Sequence, residues 1–349
     1  MSVIIQNREI SHNSKPLIIA EMSANHGQSI EKALKIVDAA SKAGADAIKL
    51  QTLKPEGITL DIDTSDFFIS DESNQWKGQT LHELYQQAYL PWEWHGPIFE
   101  RAKELGLIAF STPFDLSAVD FLETLNVPCY KISSAENRDI PLLRKVAKTG
   151  KPLIMSTGMA SISELAESVS AIREEGCMDL ILLKCTCAYP ALPSEANLRT
   201  IPHLRELFQC EVGISDHSEG IGLAIASIAL GARVIEKHFM LSRDEQSLDA
   251  NFSLVPDELN SLVVEVARAY EALGCVQYGP SDSELPSLKY RRSLYVVEDL
   301  RKGDMISERN IRSIRPGYGL EPKYYPFVIG KRAARDLKKG DPVKWDAIY

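Results

Sequence analysis

From residue 17 to about residue 275 the chain alternates short apolar runs with longer stretches whose apolar positions recur at helical spacing. The apolar runs fall at 17–21, 47–51, 107–111, 129–133, 153–156, 180–185, 211–215 and 233–237, and predict eight strands. Between them, segments such as SIEKALKIVDAASKAG, PWEWHGPIFERAKELG and SISELAESVSAIREEG read as amphipathic helices, each with a glycine at or near its end. Eight strand–helix units predict a (β/α)8 TIM barrel. A doubly wound sheet is disfavoured, because SANHGQS after the first strand offers one glycine instead of a glycine-rich phosphate fingerprint.

The connection over 52–90 is too long for a simple strand-to-helix loop and carries the polar stretch DIDTSDFFISDESNQWKGQT. It follows a strand, so it belongs to the barrel face where active sites sit, and reads as an elaborated lid or wall. Past the last helix, QYGPSDSELPSLKY concentrates Pro, Gly and Ser and reads as a linker. The expected organisation is a barrel over 1–276, a linker over 277–288 and a small β-rich domain over 289–349. In the last of these, DLRKGD (299–304) returns as DLKKGD (336–341), an internal echo that predicts a pseudo-symmetric β unit.

Composition narrows the function. With 349 residues, 44% apolar and 25% charged, the chain can bury a large core. A net charge of -9 with dispersed Lys and Arg excludes a nucleic-acid footprint. No uninterrupted apolar run reaches membrane-spanning length and no signal-peptide pattern opens the chain, so a cytoplasmic protein without membrane or nucleic-acid partners is expected. The six cysteines include no CxxC pair, so free thiols are expected, Cys185 and Cys187 being the one close pair.

In a barrel, residues at the C-terminal ends of the strands converge on one mouth. Here those ends carry Glu21; Lys49 with Gln51; Ser111 with Thr112; Lys131, Ser133, Ser134 and Glu136; Ser156; Lys184; Ser215, Asp216 and His217; and Glu236, Lys237 and His238. Lysines inside apolar runs are costly unless an anion pairs with them, so Lys49 and Lys131 with the neighbouring hydroxyls point to a bound phosphate or carboxylate. His217 and His238 end strands seven and eight, and fit a two-histidine divalent-metal site with open positions. An anionic substrate beside an open metal site suits chemistry on a second substrate whose carbonyl is polarised.

The motifs IIAEMSANHG, AGADAIKLQT, STPFD, YKISSAE, STGM, LLKCTCAYP, GISDHS, GARVIEKHF and RPGYGL together resemble the sialic acid synthase family, over essentially the whole chain. The tail resembles its antifreeze-like, or SAF, domain. SANH, PWEWH and NFSL look most like the pseudaminic acid branch, whereas Lys184 and Cys187 depart from the sialic acid branch.

The resemblance implies condensation of phosphoenolpyruvate with 2,4-diacetamido-2,4,6-trideoxy-L-altrose, releasing phosphate and giving a nonulosonic acid used in surface glycans. It implies a divalent metal, Mn2+ with Co2+ or Mg2+ as alternatives, held by His217 and His238. Lys49, Thr112, Lys131, Ser134, Ser156 and Ser215 would bind phosphoenolpyruvate. Gln51, Phe114, Tyr189 and Arg315 would bind the sugar, and Glu21, Glu136 and Asp249 would be the catalytic carboxylates. Arg315 would reach into the partner's barrel of a domain-swapped homodimer. Alternatives are an N-acetylneuraminate or legionaminate synthase and, from another reaction class, a Schiff-base aldolase using Lys131 or Lys184.

Overall fold

The computed structural model describes residues 2–72, 76–244 and 247–349, and separates into two units, Met1–Gly274 and Cys275–Tyr349. The first unit begins with a hairpin, β1 (Ser2–Ile5) and β2 (Arg8–Ser11). Eight parallel strands then close into a barrel. They are β3 (Leu17–Glu21), β4 (Ala47–Thr52), β5 (Ile108–Pro113), β6 (Tyr130–Ile132), β7 (Leu153–Ser156), β8 (Leu180–Cys185), β9 (Glu211–Asp216) and β10 (Val234–His238), with β10 pairing back onto β3. The eight expected strands are all present, half of their ends shifting by one or two residues.

Local signals explain the helices between them. The Ser29 hydroxyl accepts from the Lys32 amide at the start of helix Ile30–Ala43, and Gly44 ends that helix at φ 92, a left-handed conformation that favours glycine. Ser161 and Glu164 form a capping box at the head of Ile162–Glu174.

Alternation along each strand sorts side chains into two cores. Outward residues such as Ile48, Leu50, Leu182 and Val212 pack under the helices. Inward residues Leu17, Ile19, Ala47, Phe110, Ile154, Leu183 and Val234 fill the barrel, and the hairpin seals its lower end with Val3, Ile5 and Ile10. Burying each of these large side chains contributes about 1.5–3 kcal/mol. Gly213 is required inside: a Cβ there would stand 2.2 Å from the Val234 carbonyl oxygen. The apolar filling stops at one level, above which the inward positions turn polar.

The second unit has its own core, including Leu294, Val296, Ile306, Ile311, Val328 and Leu337. It contains the antiparallel pair β11 (Ser293–Val296) and β12 (Ile311–Ile314). The echoed hexapeptides embrace one another: Leu300 and Leu337 exchange both backbone hydrogen bonds at 2.8 Å. Asp336 Oδ1 accepts from the Lys302 amide and Asp299 Oδ1 from the Lys339 amide, each at 2.8 Å.

Candidate active site

Register places the polar layer. Glu21 on β3 lies opposite both Lys49 on β4 and His238 on β10, and Ser215 on β9 lies opposite Glu236. Residues two apart on a strand face the same way, so Glu236 and His238 both enter the barrel, while Lys237 between them turns outward to a buried pair with Asp216 at 3.1 Å.

At the floor of the mouth, Lys49 Nζ stands 2.8 Å from Glu21 Oε2 and 3.2 Å from Thr112 Oγ1. Lys131 Nζ donates to Ser156 Oγ at 2.7 Å. Glu236 Oε1 lies between the two ammonium groups, 3.5 Å from Lys49 and 3.6 Å from Lys131, and accepts from Ser215 Oγ at 3.2 Å. All four ionisable side chains are buried. Burial raises a carboxyl, yet Lys131 and Lys49 outweigh it and hold Glu236 well below the usual carboxylate range. Burial also opposes the Lys49 ammonium, but Glu21 and Glu236 reverse the sign and its pKa stands above normal. For Lys131 burial prevails and its pKa falls.

Above this floor, the rings of His217 and His238 have centroids 5.3 Å apart. His217 Nδ1 lies 3.0 Å from the Thr186 carbonyl oxygen, and His238 Nδ1 lies 3.4 Å from Asp249 Oδ2. Each ring therefore turns one nitrogen to a protein oxygen, the arrangement that orients the other nitrogen toward a metal. Burial lowers the His217 pKa, favouring the neutral state that ligates. No group of three or more His, Cys, Asp or Glu side chains arranged for a metal occurs among the described residues; the two imidazoles are the paired nitrogen donors at the mouth.

These groups open into a cavity of about 360 Å³, within the range of small-molecule sites. Of the sequence-derived residues, Lys49, Lys131, Ser134, Ser156 and Ser215 line it, as do Gln51, Phe114, Tyr189, His217, His238 and Asp249. Glu21 and Thr112 stand behind it and touch Lys49, while Glu136 hydrogen-bonds Ser133. Burial raises the Glu136 pKa. Asp249 goes the other way: burial is outweighed by His238, the Ser23 hydroxyl and the Ala24 amide. Arg315 is exposed on the second unit.

Lys184 is a correction to its expected place at the mouth. Its Nζ donates to the Cys185 carbonyl at 2.9 Å, and it lines a separate, small pocket instead of the main cavity. The strand alternation that points Cys185 inward carries Lys184 away. All six cysteines are free, with Cys185 Sγ and Cys187 Sγ 4.0 Å apart at the cavity edge.

The 52–90 connection does wall the cavity, as expected; what sequence reading missed is the weight of Glu236 and which residues of that connection, Trp76, Leu84, Tyr85 and Ala88, do the lining. The i, i+2 spacing of Glu236 and His238 carried the first signal. No residue spacing carried the second.

The NeuB family profile matches residues 36–278, and the SAF domain profile matches 291–348. A pseudaminic acid synthase of Campylobacter jejuni subsp. jejuni serotype O:2 is 46% identical over 332 residues, covering 95% of this chain and 96% of the relative. An N,N'-diacetyllegionaminic acid synthase of the same strain is 34% identical, covering 95% and 99%. Among solved structures, an N-acetylneuraminic acid synthetase from Leptospira borgpetersenii superimposes with a TM-score of 0.73 at 32% identity, covering 83% of this chain and 96% of that one. By its profile match over most of the barrel and by these near full-length relatives, the chain belongs to the NeuB family.

Proposed function

We propose that this protein is a pseudaminic acid synthase, joining C3 of phosphoenolpyruvate to the aldehyde carbon of open-chain 2,4-diacetamido-2,4,6-trideoxy-L-altrose. The reading rests on the relatives' identities, highest for the pseudaminic acid synthases, together with one observation in the site. Two buried lysines share the Glu236 carboxylate directly below a pair of histidines.

Lys49 and Lys131, with Ser134, Ser156 and Ser215, supply the cationic and hydroxyl donors that phosphate and carboxylate oxygens require. Thr112 and Glu21 keep the Lys49 ammonium in place. A divalent cation, manganese by preference, would be held by His217 and His238 and would polarise the aldehyde. After the new carbon–carbon bond forms, water adds at C2 and the C–O bond to phosphate breaks, which releases inorganic phosphate. Of Glu21, Glu136 and Asp249, only Asp249 lines the cavity, and Glu236 beside it is held between Lys49 and Lys131, so Asp249 is the acceptor for the proton of that water, while Glu21 stays committed to Lys49.

The functional unit is a homodimer in which Arg315 contacts the sugar bound in the partner's barrel. It works in the cytoplasm, where phosphoenolpyruvate is available; no helix among the described residues is long and apolar enough to cross a membrane.

The test is phosphate release from phosphoenolpyruvate with a panel of hexoses. The trideoxy diacetamido sugar should give the highest kcat/KM. A higher value for N-acetylmannosamine or for the legionaminic precursor would replace this reading with that of the corresponding synthase.

A further inference from the structure

The cavity has two unlike halves. Its floor is ionic, as described. Its outer wall is apolar, and much of that wall comes from the 52–90 connection: Trp76, and Leu84, Tyr85 and Ala88 from helix Leu81–Ala88. Positions 84, 85 and 88 lie at i, i+1 and i+4, so they share one helix face.

This wall is held in place. The helix starts at a capping box between Thr80 and Glu83. At its other end, Gln28 Nε2 donates to the carbonyls of Gln87 at 3.2 Å and Tyr89 at 2.5 Å, which ties it to the turn after β3. The Trp76 ring packs against Tyr189 with centroids 5.8 Å apart, and Tyr189 packs against His217 at 4.6 Å. One continuous aromatic surface thus runs from the histidine pair to the wall.

We propose that this wall is the specificity element of the site, and that it selects a hexose with apolar substituents at C4 and C6 over one with hydroxyls there. The inference rests on the functional reading above and names how that substrate is chosen. With C1 fixed near the histidines and phosphoenolpyruvate on the lysines, the far end of the sugar is left to meet Trp76, Leu84 and Ala88. A C6 methyl and the methyl of a C4 acetamido group lose water favourably against such a surface. Hydroxyls brought against the indole face, the Leu84 isobutyl group and the Ala88 methyl would give up water to surfaces that return no hydrogen bond, which leaves the Tyr85 hydroxyl and the indole N–H as the polar groups of this wall. Discrimination by apolar contact is bounded, worth about 10–200-fold per methylene-sized group.

The experiment compares kcat/KM for 2,4-diacetamido-2,4,6-trideoxyhexose and for 2-acetamido-2-deoxyhexose in wild type, Trp76→Ala and Leu84→Ala. Trp76→Leu serves as a variant that keeps apolar surface and guards against loss of fold. In the alanine variants the value for the trideoxy sugar should fall by about 10-fold or more. The value for the hydroxylated sugar should change by less than about 3-fold. Discrimination therefore shrinks, while the KM for phosphoenolpyruvate stays near wild type and Trp76→Leu retains most of the preference. Equal losses for the two sugars, or an unchanged ratio, overturn the assignment of selectivity to the wall. A wild-type preference for the hydroxylated hexose overturns the functional reading instead, before any variant is compared.

Discussion

Glu236 Oε1 lies 3.6 Å from Lys131 Nζ, and that carboxylate also faces Lys49 at 3.5 Å, so one buried anion serves two buried cations. An incoming phosphate or carboxylate would enter a field that Glu236 and Glu21 already balance, and its binding would draw on the excess donors of the lysines and hydroxyls. Glu236→Gln leaves Lys131 without its ion-pair partner. We expect the variant to lose about 3 kcal/mol of stability, with inorganic phosphate raising its Tm more than it raises that of wild type. Thermal melts across a phosphate titration check this; equal phosphate responses in the two proteins would show that the lysines are not an anion site.

The histidine pair makes a second expectation. A chelator should abolish phosphate release, and added Mn2+ or Co2+ should restore it. His217→Ala and His238→Ala should each lower turnover by orders of magnitude while the barrel stays folded, since its lower layers are filled by Leu17, Phe110, Leu183 and their neighbours and do not depend on the mouth. Asp249→Asn should weaken metal binding measured directly by calorimetry, because Asp249 orients His238 from 3.4 Å. Full activity in the chelated enzyme would remove the metal from the reaction.

The strands were legible because each is an apolar run bounded by helix caps and glycines, and because parallel strands are buried on both sides. Alternation then made the mouth legible: a lysine within DAIKLQT or CYKIS has to point inward or outward, and the hydroxyls around it suggested which. The same rule misled at Lys184, where Cys185 takes the inward position and the lysine is carried to the other face. The β1–β2 hairpin escaped because four-residue strands such as REIS carry little pattern, and their fit depends on a barrel end built from distant residues. The 52–90 connection was legible as a lid or wall, but its apolar lining residues escaped for a related reason. Trp76 and Leu84 sit in a mostly polar connection, and only the fold shows that their faces meet the cavity.

Acid stability should follow two buried histidines away from the lysines. Burial lowers the pKa of His26 and of His95 to about 4. His95 Nε2 lies 2.8 Å from Thr52 Oγ1, in a network with Ser111 behind the barrel wall. An unfolded histidine takes up its proton near pH 6.5, so between that value and about 4 the unfolded chain binds more protons than the folded one. The stabilisation is therefore complete above pH 6.5 and is lost as the pH falls toward 4. Each histidine contributes on the order of 3 kcal/mol over that window. Urea melts at a series of pH values check the slope, and His95→Phe should flatten it. A stability independent of pH between 6.5 and 4.5 would contradict the assignment.

Arg315 carries the boldest expectation. It is exposed, lies just beyond β12, and makes no hydrogen bond or ion pair among the described residues. An exposed loop arginine is ordinarily only solvated, and its removal costs little. If it contacts the sugar in a partner's barrel, Arg315→Ala should raise the KM for the hexose by 10-fold or more, as loss of a charge-assisted hydrogen bond of about 1.5–3 kcal/mol requires. The KM for phosphoenolpyruvate should stay near wild type. Mixing then separates an action across subunits from one within the chain. In a dimer of one Arg315→Ala chain and one His217→Ala chain, the swapped arrangement gives one mouth both defects and the other neither. Activity of purified mixed dimers should approach half that of wild type, well above the sum of the two parents. If Arg315 served its own barrel, each mouth would keep one defect and the mixture would stay as slow as the average of its parents.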